Sequence, residues 1–256
     1  MRDRILQIRQ TLGHWLLLAM VLSLAGCVTV DPRESKNVRA SKINVQLGIG
    51  YMQQNNLEVA SEKLLKALRQ NPKSAAAHNA YAMLQDRLLQ KDKAEYHYKK
   101  ATKLDRKDSQ AANNYGTFLC RNNRVAESEK YFLRALKNPL YKTPEFAYTN
   151  AGLCLLKIDQ NERAMDYLRK ALAARSNFPT ALIAMGRLVF EQNKFSEAKI
   201  YLDRFHRVAT PTATSLWLAI RTELELNSSS DVDALAENLE SNFPDSDEYQ
   251  SWLKTQ

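Results

Sequence analysis

The stretch Leu47-Gly48-Ile49-Gly50-Tyr51 opens the pattern on which most of the chain is built. The 256 residues include only seven glycines, yet a small residue returns at the position of Gly48 every 34 to 36 residues, at Ala82, Gly116, Gly152 and Gly186. A second small residue follows twelve positions later: Ala60, Ala94, Ser128, Ala164 and Ala198. A third follows after seven more, at Ala67, Ala101, Ala135 and Ala171, until Phe205 interrupts the series. The chain therefore contains five related units in succession.

An interval of 34 residues has room for two short helices and their turns. Two antiparallel helices approach closely only where one side chain is minimal, so each Gly or Ala of the pattern marks a helix crossing. Larger side chains such as Tyr98, Phe132 and Leu168 then fill the space beside it. One unit cannot bury its apolar face alone, whereas stacked units form a continuous core.

The pattern, which in the first unit includes Tyr51 and Pro72, is similar to the tetratricopeptide repeat. It predicts helix pairs at 42–54 and 57–70, 75–89 and 91–104, 109–121 and 125–137, 143–157 and 161–174, and 178–191 and 195–208. A degenerate sixth pair runs through Trp217 to Asn242, and residues 247–253 form a short cap. We therefore predict an all-α, right-handed tetratricopeptide-repeat superhelix of about six helix pairs over residues 41–256.

The N-terminus carries a different kind of signal. A basic start precedes an apolar run at residues 15–24 that ends in Leu24-Ala25-Gly26-Cys27. These four residues resemble the bacterial lipobox, which implies a signal peptide at 1–26, lipid (palmitate) on Cys27 and a flexible tether at 27–40. Because Val28 is not Asp, the resemblance implies the outer membrane, on its periplasmic face. The alternative is an ordinary signal peptide with a chance cysteine.

The distribution of charge argues against a protein that binds nucleic acid. The net charge is +9, but it is spread out, with no Lys/Arg run of the kind that binds nucleic acid. One denser patch comprises Lys91, Lys93, Lys99, Lys100, Lys103, Arg106 and Lys107. It fits an acidic partner or lipid head groups, or it serves only solubility.

No catalytic constellation is present in the sequence. His78, His97 and His206 are not spaced as metal ligands, and there is no phosphate-binding loop or nucleophile elbow. Cys120 and Cys154 form no CxxC motif and fall in apolar helical stretches, so we favour two unpaired core cysteines. The alternative is that they pair, which an oxidising compartment permits. We expect no enzyme, cofactor, metal or small-molecule substrate, and a surface that binds another protein.

By resemblance to the repeat family, the first helix of each pair lines a concave groove. In the first repeat the groove positions include Val45, Ile49 and Met52, an apolar patch. In the next two repeats they include Met83 and the equivalent amides Asn79 and Asn113, which suit an extended peptide. The predicted partner-binding groove is thus Val45, Ile49, Met52, Asn79, Met83 and Asn113. The alternative is that the tether or a neighbouring helix covers the first three.

Four segments narrow the resemblance: Asn113–Leu119, Asn138–Tyr141, Asn150–Cys154 and Phe243–Tyr249. With the lipobox, they make the chain similar to the PilF/PilW family of type IV pilus biogenesis lipoproteins. Membership implies a pilotin that binds an outer-membrane secretin and promotes its localisation and multimerisation. The alternative is another envelope-assembly lipoprotein that docks cell-wall or secretion proteins.

Overall fold

The computed structural model describes residues 35–255, which form thirteen α-helices and no strand. The helices are α1 (Lys36–Gln53), α2 (Leu57–Gln70), α3 (Ala75–Arg87), α4 (Lys91–Leu104), α5 (Ser109–Arg121), α6 (Val125–Leu136), α7 (Pro144–Leu156), α8 (Asn161–Ala174), α9 (Pro179–Glu191), α10 (Phe195–Val208), α11 (Ala213–Glu225), α12 (Ser229–Asn242) and α13 (Asp247–Leu253). Each odd-numbered helix up to α11 pairs with the helix that follows it, and the pairs stack in chain order as repeats 1 to 6. The prediction of an all-α tetratricopeptide superhelix is confirmed.

The first helix starts earlier than predicted. It begins at Lys36 rather than 42, because the Ser35 hydroxyl caps it by accepting a hydrogen bond from the amide of Val38 at 3.3 Å. Residues 36–40, assigned to the tether, are therefore helical. The predicted signal peptide, Cys27 and the remainder of the tether lie outside the described residues.

The small residues lie at the crossings. A Cβ atom added to Gly116 would lie 2.7 Å from the Phe132 ring and 3.1 Å from the Ser128 carbonyl oxygen. Ala135 is fully buried with Ala112 of its own repeat and Ala147 of the next. As predicted, both residues mark helix crossings: Gly116 lies at one within a repeat and Ala135 at one between repeats.

The turn inside every repeat contains one residue in the left-handed region. These residues are Asn55, Leu89, Asn123, Asp159, Asn193 and Asn227, with φ between 56° and 61°. Asn and Asp tolerate this region better than other residues that carry a side chain, which explains five of the six positions. Leu89 in repeat 2 is the exception.

The prediction of two unpaired cysteines was wrong. Cys120 on α5 and Cys154 on α7 form a disulfide, with their Cα atoms 5.8 Å apart. The two cysteines lie on the first helices of neighbouring repeats, 34 residues apart, which is two fewer than the 36-residue interval between Gly116 and Gly152. This bond ties repeat 3 to repeat 4.

The C-terminal end is closed as predicted. Tyr249 and Trp252 of α13 pack against a buried cluster that includes Leu216, Ile220 and Leu239. The last apolar face of the solenoid is thereby covered. Within residues 35–255, no helix is both long and apolar enough to span a membrane.

Candidate functional site

The central groove is a concave channel of about 440 Å³ along α3, α5 and α7. The side chains that line it are mainly polar: Asp86, Arg87, Gln110, Asn113, Asn114, Thr117, Arg121 and Asn150, with Met83, Tyr98 and Phe146 as the apolar members. Met83 is 37% exposed and Phe146 is 43% exposed. The channel therefore offers amides and accessible apolar surface together.

A chain of amides runs across the groove from repeat to repeat. Asn114 donates to the side-chain oxygen of Asn79 at 3.2 Å, and its own side-chain oxygen accepts from Gln110 at 2.9 Å. One repeat further on, Asn150 donates to the side-chain oxygen of Asn113 at 3.1 Å. These amides satisfy one another in the free protein and have the donors and acceptors that a peptide backbone requires.

Charged groups frame the amides. Arg121 of α5 forms an ion pair with Asp86 of α3 at one side of the groove. Arg87 turns toward repeat 1 instead, where it donates to the Met52 carbonyl oxygen at 2.7 Å and to the Asn55 side chain at 2.8 Å. Arg87 thus clamps α1 to α3, whereas the Asp86–Arg121 pair connects α3 to α5.

The structure divides the predicted binding residues into two groups. Asn79 and Met83 are partly exposed and meet at the amide chain, and Asn113 lines the groove although it is buried. Val45 and Met52 do not form an exposed patch. They are only 7% and 6% exposed, within a cluster of α1, α2 and α3 residues that includes Ala77, Ala80 and Leu84.

The neighbouring helix α3 thus covers that side of α1, as the alternative interpretation had it. Ile49 is half-buried and packs on the edge of the same cluster. The exposed apolar side chains of α1 are Ile43 and Leu47, at 53% and 43% exposure. They lie on a different face of the helix, beside a shallow cavity that also contacts Tyr51.

Asn114, Phe146 and Asn150 are groove residues that the predicted set did not contain. Asn114 and Asn150 are 36 residues apart, which is the length of the interval between Gly116 and Gly152. Aligning the repeats with this longer interval would have placed both amides at one equivalent position. No such repeat of residue type in the sequence points to Phe146.

The groove has no catalytic constellation, and within residues 35–255 no group of three or more His, Cys, Asp or Glu side chains could hold a metal ion. One partly buried histidine pair lies elsewhere, on α3 and α4. The Nδ1 atoms of His78 and His97 are 2.7 Å apart, and His78 Nε2 lies 3.1 Å from the Pro72 carbonyl oxygen. Because that carbonyl must accept, His78 donates from Nε2, and the shared proton belongs to His97.

Comparison with known proteins agrees with the repeat architecture. Tetratricopeptide-repeat family models match residues 45–108, 87–143 and 147–178. The type IV pilus assembly protein PilF of Pseudomonas aeruginosa is 31% identical over 242 residues, which cover 93% of this chain and 96% of that protein. An uncharacterised protein of Haemophilus influenzae is 30% identical over 149 residues, covering 57% of this chain and 83% of its own length.

Two solved structures share both sequence and fold. A structure of Pseudomonas aeruginosa PilF superposes with a TM-score of 0.80 at 30% identity, over 87% of this chain and all of that one. The crystal structure of PilW, a type IV pilus biogenesis factor, gives 0.75 at 33% identity, over 83% of this chain and 98% of that one. The chain therefore belongs to the PilF/PilW family, the non-enzymatic tetratricopeptide-repeat scaffolds of type IV pilus biogenesis.

Proposed function

We propose that this protein is a pilotin: an outer-membrane lipoprotein that binds a secretin and promotes its localisation and multimerisation. The observation that carries the proposal is the central groove, an open channel of amides and exposed apolar side chains without catalytic groups. It occurs in a chain that a type IV pilus assembly protein matches over 93% of its length. A secretin segment is the proposed occupant of this groove.

The amide chain explains how the groove would take an extended segment. Asn79 and Asn114 bond to each other, and Asn150 bonds to Asn113. These amides can exchange those bonds for bonds to peptide N–H and C=O groups, which burial would otherwise leave unpaired. Met83 and Phe146 offer apolar surface for side chains of the segment. Burying one such side chain contributes roughly 1.5–3 kcal/mol before the costs of association.

The proposed anchor is the lipid on Cys27. A chain held by lipid at the periplasmic face of the outer membrane would bring a bound secretin subunit to the bilayer in which the channel assembles. A single acyl chain binds a membrane only marginally, so stable anchoring requires more than one chain or a second membrane contact.

The test is complementation of a deletion strain. Without the protein, secretin multimers and twitching motility should be lost, and the wild-type chain should restore both. Cys27→Ser should give protein that no longer sediments with outer membranes and no longer labels with palmitate. Met83→Glu should leave lipidation and helix content unchanged. It should reduce the level of secretin multimers on the order of tenfold, because a charge replaces an apolar side chain that the bound segment would bury.

Ile200→Glu is the matched control, since Ile200 is an exposed apolar side chain on α10, a helix that does not line the groove, and is 58% exposed. It should restore multimers fully. Normal multimer levels with Met83→Glu would contradict the proposal that the secretin segment binds in the central groove. Normal multimers in the deletion strain, with pili still lost, would instead support the alternative of a scaffold for other envelope proteins.

A further inference from the structure

The outward face of α4 carries a basic stripe, which we define as Lys93, Tyr96, Lys100, Lys103 and Lys107. The spacing of three and four residues places the four that lie within the helix on one side of it, and Lys107 follows just beyond its end. All five except the half-buried Lys100 are exposed, and Tyr96 reaches 58%. The Lys100 ammonium lies 5.7 Å from the centre of the Tyr96 ring.

The positive charge of this face is largely uncompensated. Residues 91–107 contain seven Lys or Arg and three Asp or Glu. Glu95 is already engaged: burial alone would raise its pKa, but hydrogen bonds from Lys99, Arg124 and Tyr115 outweigh burial and lower the pKa to about 2. Across residues 35–255, no carboxylate lies within 4 Å of the cations Lys91, Lys93, Lys103, Arg106 and Lys107.

An exposed apolar turn lies at the start of the same helix. Leu88 is 40% exposed and Leu89 is 80% exposed, and the Leu89 carbonyl accepts from the Lys91 amide at 3.1 Å. The tip of the turn is therefore a pair of leucines, and Lys91 follows them after Gln90.

The other repeats show that the fold does not require these residues. The position of Leu89 is Asn or Asp in the other five turns, where the left-handed backbone favours it. The position of Lys91 is Leu57, Val125 and Phe195 in repeats 1, 3 and 5. Repeat 2 thus differs from its neighbours by having exposed leucine and lysine at these positions. Of the two, Leu89 is unfavourable for the left-handed backbone.

We propose that the basic stripe and the Leu88–Leu89 turn form a surface that docks on an anionic phospholipid bilayer. Lysines near such a surface are attracted to phosphate groups, and their long apolar stems let the ammonium groups reach the head-group layer. The two leucines insert between head groups, and Tyr96 lies at the interface, where a ring with a polar end is favoured. Anionic head groups complement the lysines and the acyl boundary accommodates the protruding leucines, so one occupant accounts for both features.

This docking goes beyond the proposed secretin binding and supplies the second membrane contact that a lipid anchor benefits from. Cys27 and Ser35 are eight residues apart, a reach of at most about 30 Å. A lipid on Cys27 would therefore keep the start of α1 within about 30 Å of the bilayer. Docking through α4 would also fix how the solenoid presents its groove.

The test uses the segment 28–256 without lipid and without secretin, so its outcome does not depend on the proposed function. The solved PilF structure is covered in full by 87% of this chain, which shows for that relative that a solenoid of this extent folds by itself. Flotation would compare vesicles of phosphatidylcholine with vesicles containing about 30% phosphatidylglycerol. We expect binding to the anionic vesicles only, and its loss in about 0.5 M salt.

Two variants test the two halves of the surface. The double variant Lys93→Glu/Lys103→Glu should weaken vesicle binding on the order of twentyfold or more, because each lysine near the surface is worth about fivefold. Leu89→Asn should also weaken binding while it stabilises the fold, which separates loss of docking from loss of structure. The control Lys170→Glu/Arg207→Glu changes the charge equally on α8 and the end of α10 and should bind like wild type.

Failure of the wild-type segment to bind anionic vesicles would overturn the proposal. So would equal weakening by the control pair, because binding would then follow net charge alone. If the segment does not bind anionic vesicles but binds an acidic protein through Lys93 and Lys103, the surface is a protein-binding site and the membrane proposal fails.

Discussion

Leu89 occupies in repeat 2 the same left-handed turn position that Asn55 occupies in repeat 1, with φ of 59° and 60°. The two residues are 34 positions apart, and each lies two residues beyond the end of the first helix of its repeat. Asn side chains bond locally and tolerate this conformation, whereas a leucine has only the steric cost of its Cβ.

Leu89→Asn should therefore raise the free energy of unfolding by about 1 kcal/mol. Urea unfolding followed by circular dichroism would measure it. The reverse change, Asn123→Leu, should lower stability by a similar amount in repeat 3, where φ is 61°. A loss of stability with Leu89→Asn would mean that the exposed leucine makes a favourable contact in the free protein.

Gly116→Leu should destabilise the fold by roughly 1–3 kcal/mol or more. An added Cβ would lie 2.7 Å from the Phe132 ring, and the remainder of the side chain has no space between α5 and α6. Gly50→Ala is the control, because its Cβ would have nothing within 4 Å and alanine favours a helix by about 1 kcal/mol. Opposite shifts of the thermal midpoint are expected, and similar shifts would contradict the assigned crossing.

Removing the disulfide with Cys120→Ala/Cys154→Ala should lower stability by about 4 kcal/mol, because the cross-link closes a loop of 34 residues in the unfolded chain. Wild-type protein unfolded in reductant should match the double variant, and the variant itself should be insensitive to reductant. If reductant leaves the wild-type urea midpoint unchanged, the bond does not stabilise the solenoid.

The histidine pair predicts a pH dependence. Burial, the neighbouring His78 and Lys100 lower the pKa of His97 to about 4, below its ordinary value of 6.5. The unfolded chain then binds more protons than the folded chain between these two values, so stability is fully present above pH 6.5 and is lost as pH falls toward 4. The rings of Tyr81 and Tyr96 also pack edge-on against His97.

His97→Gln should flatten the fall of the thermal midpoint between pH 6.5 and 4, while His206→Gln tests the general effect of losing a half-buried histidine. Parallel curves for wild type and His97→Gln would show that the pair does not titrate in this window.

Much of the architecture could be predicted from spacing. The helices at 57–70, 91–104, 109–121, 161–174 and 195–208 have the bounds predicted for them, and the remaining predicted bounds from 75 to 191 differ by one or two residues. The cap at 247–253 is also where it was expected. The residues that line the groove were harder to predict from the sequence, because a position in a repeat specifies a helix face only to within about one residue.

The sequence by itself determined the repeat, its helices and its crossings, because these depend on distances along the chain. Only the tertiary structure decided which residues face a partner. A rotation of one residue about a helix axis is 100°, enough to bury Val45 and Met52 against α3 and to expose Ile43 and Leu47. The same packing of neighbouring repeats joined Cys120 to Cys154 and Asn114 to Asn79, because such contacts depend on how two stacked helices are turned toward each other.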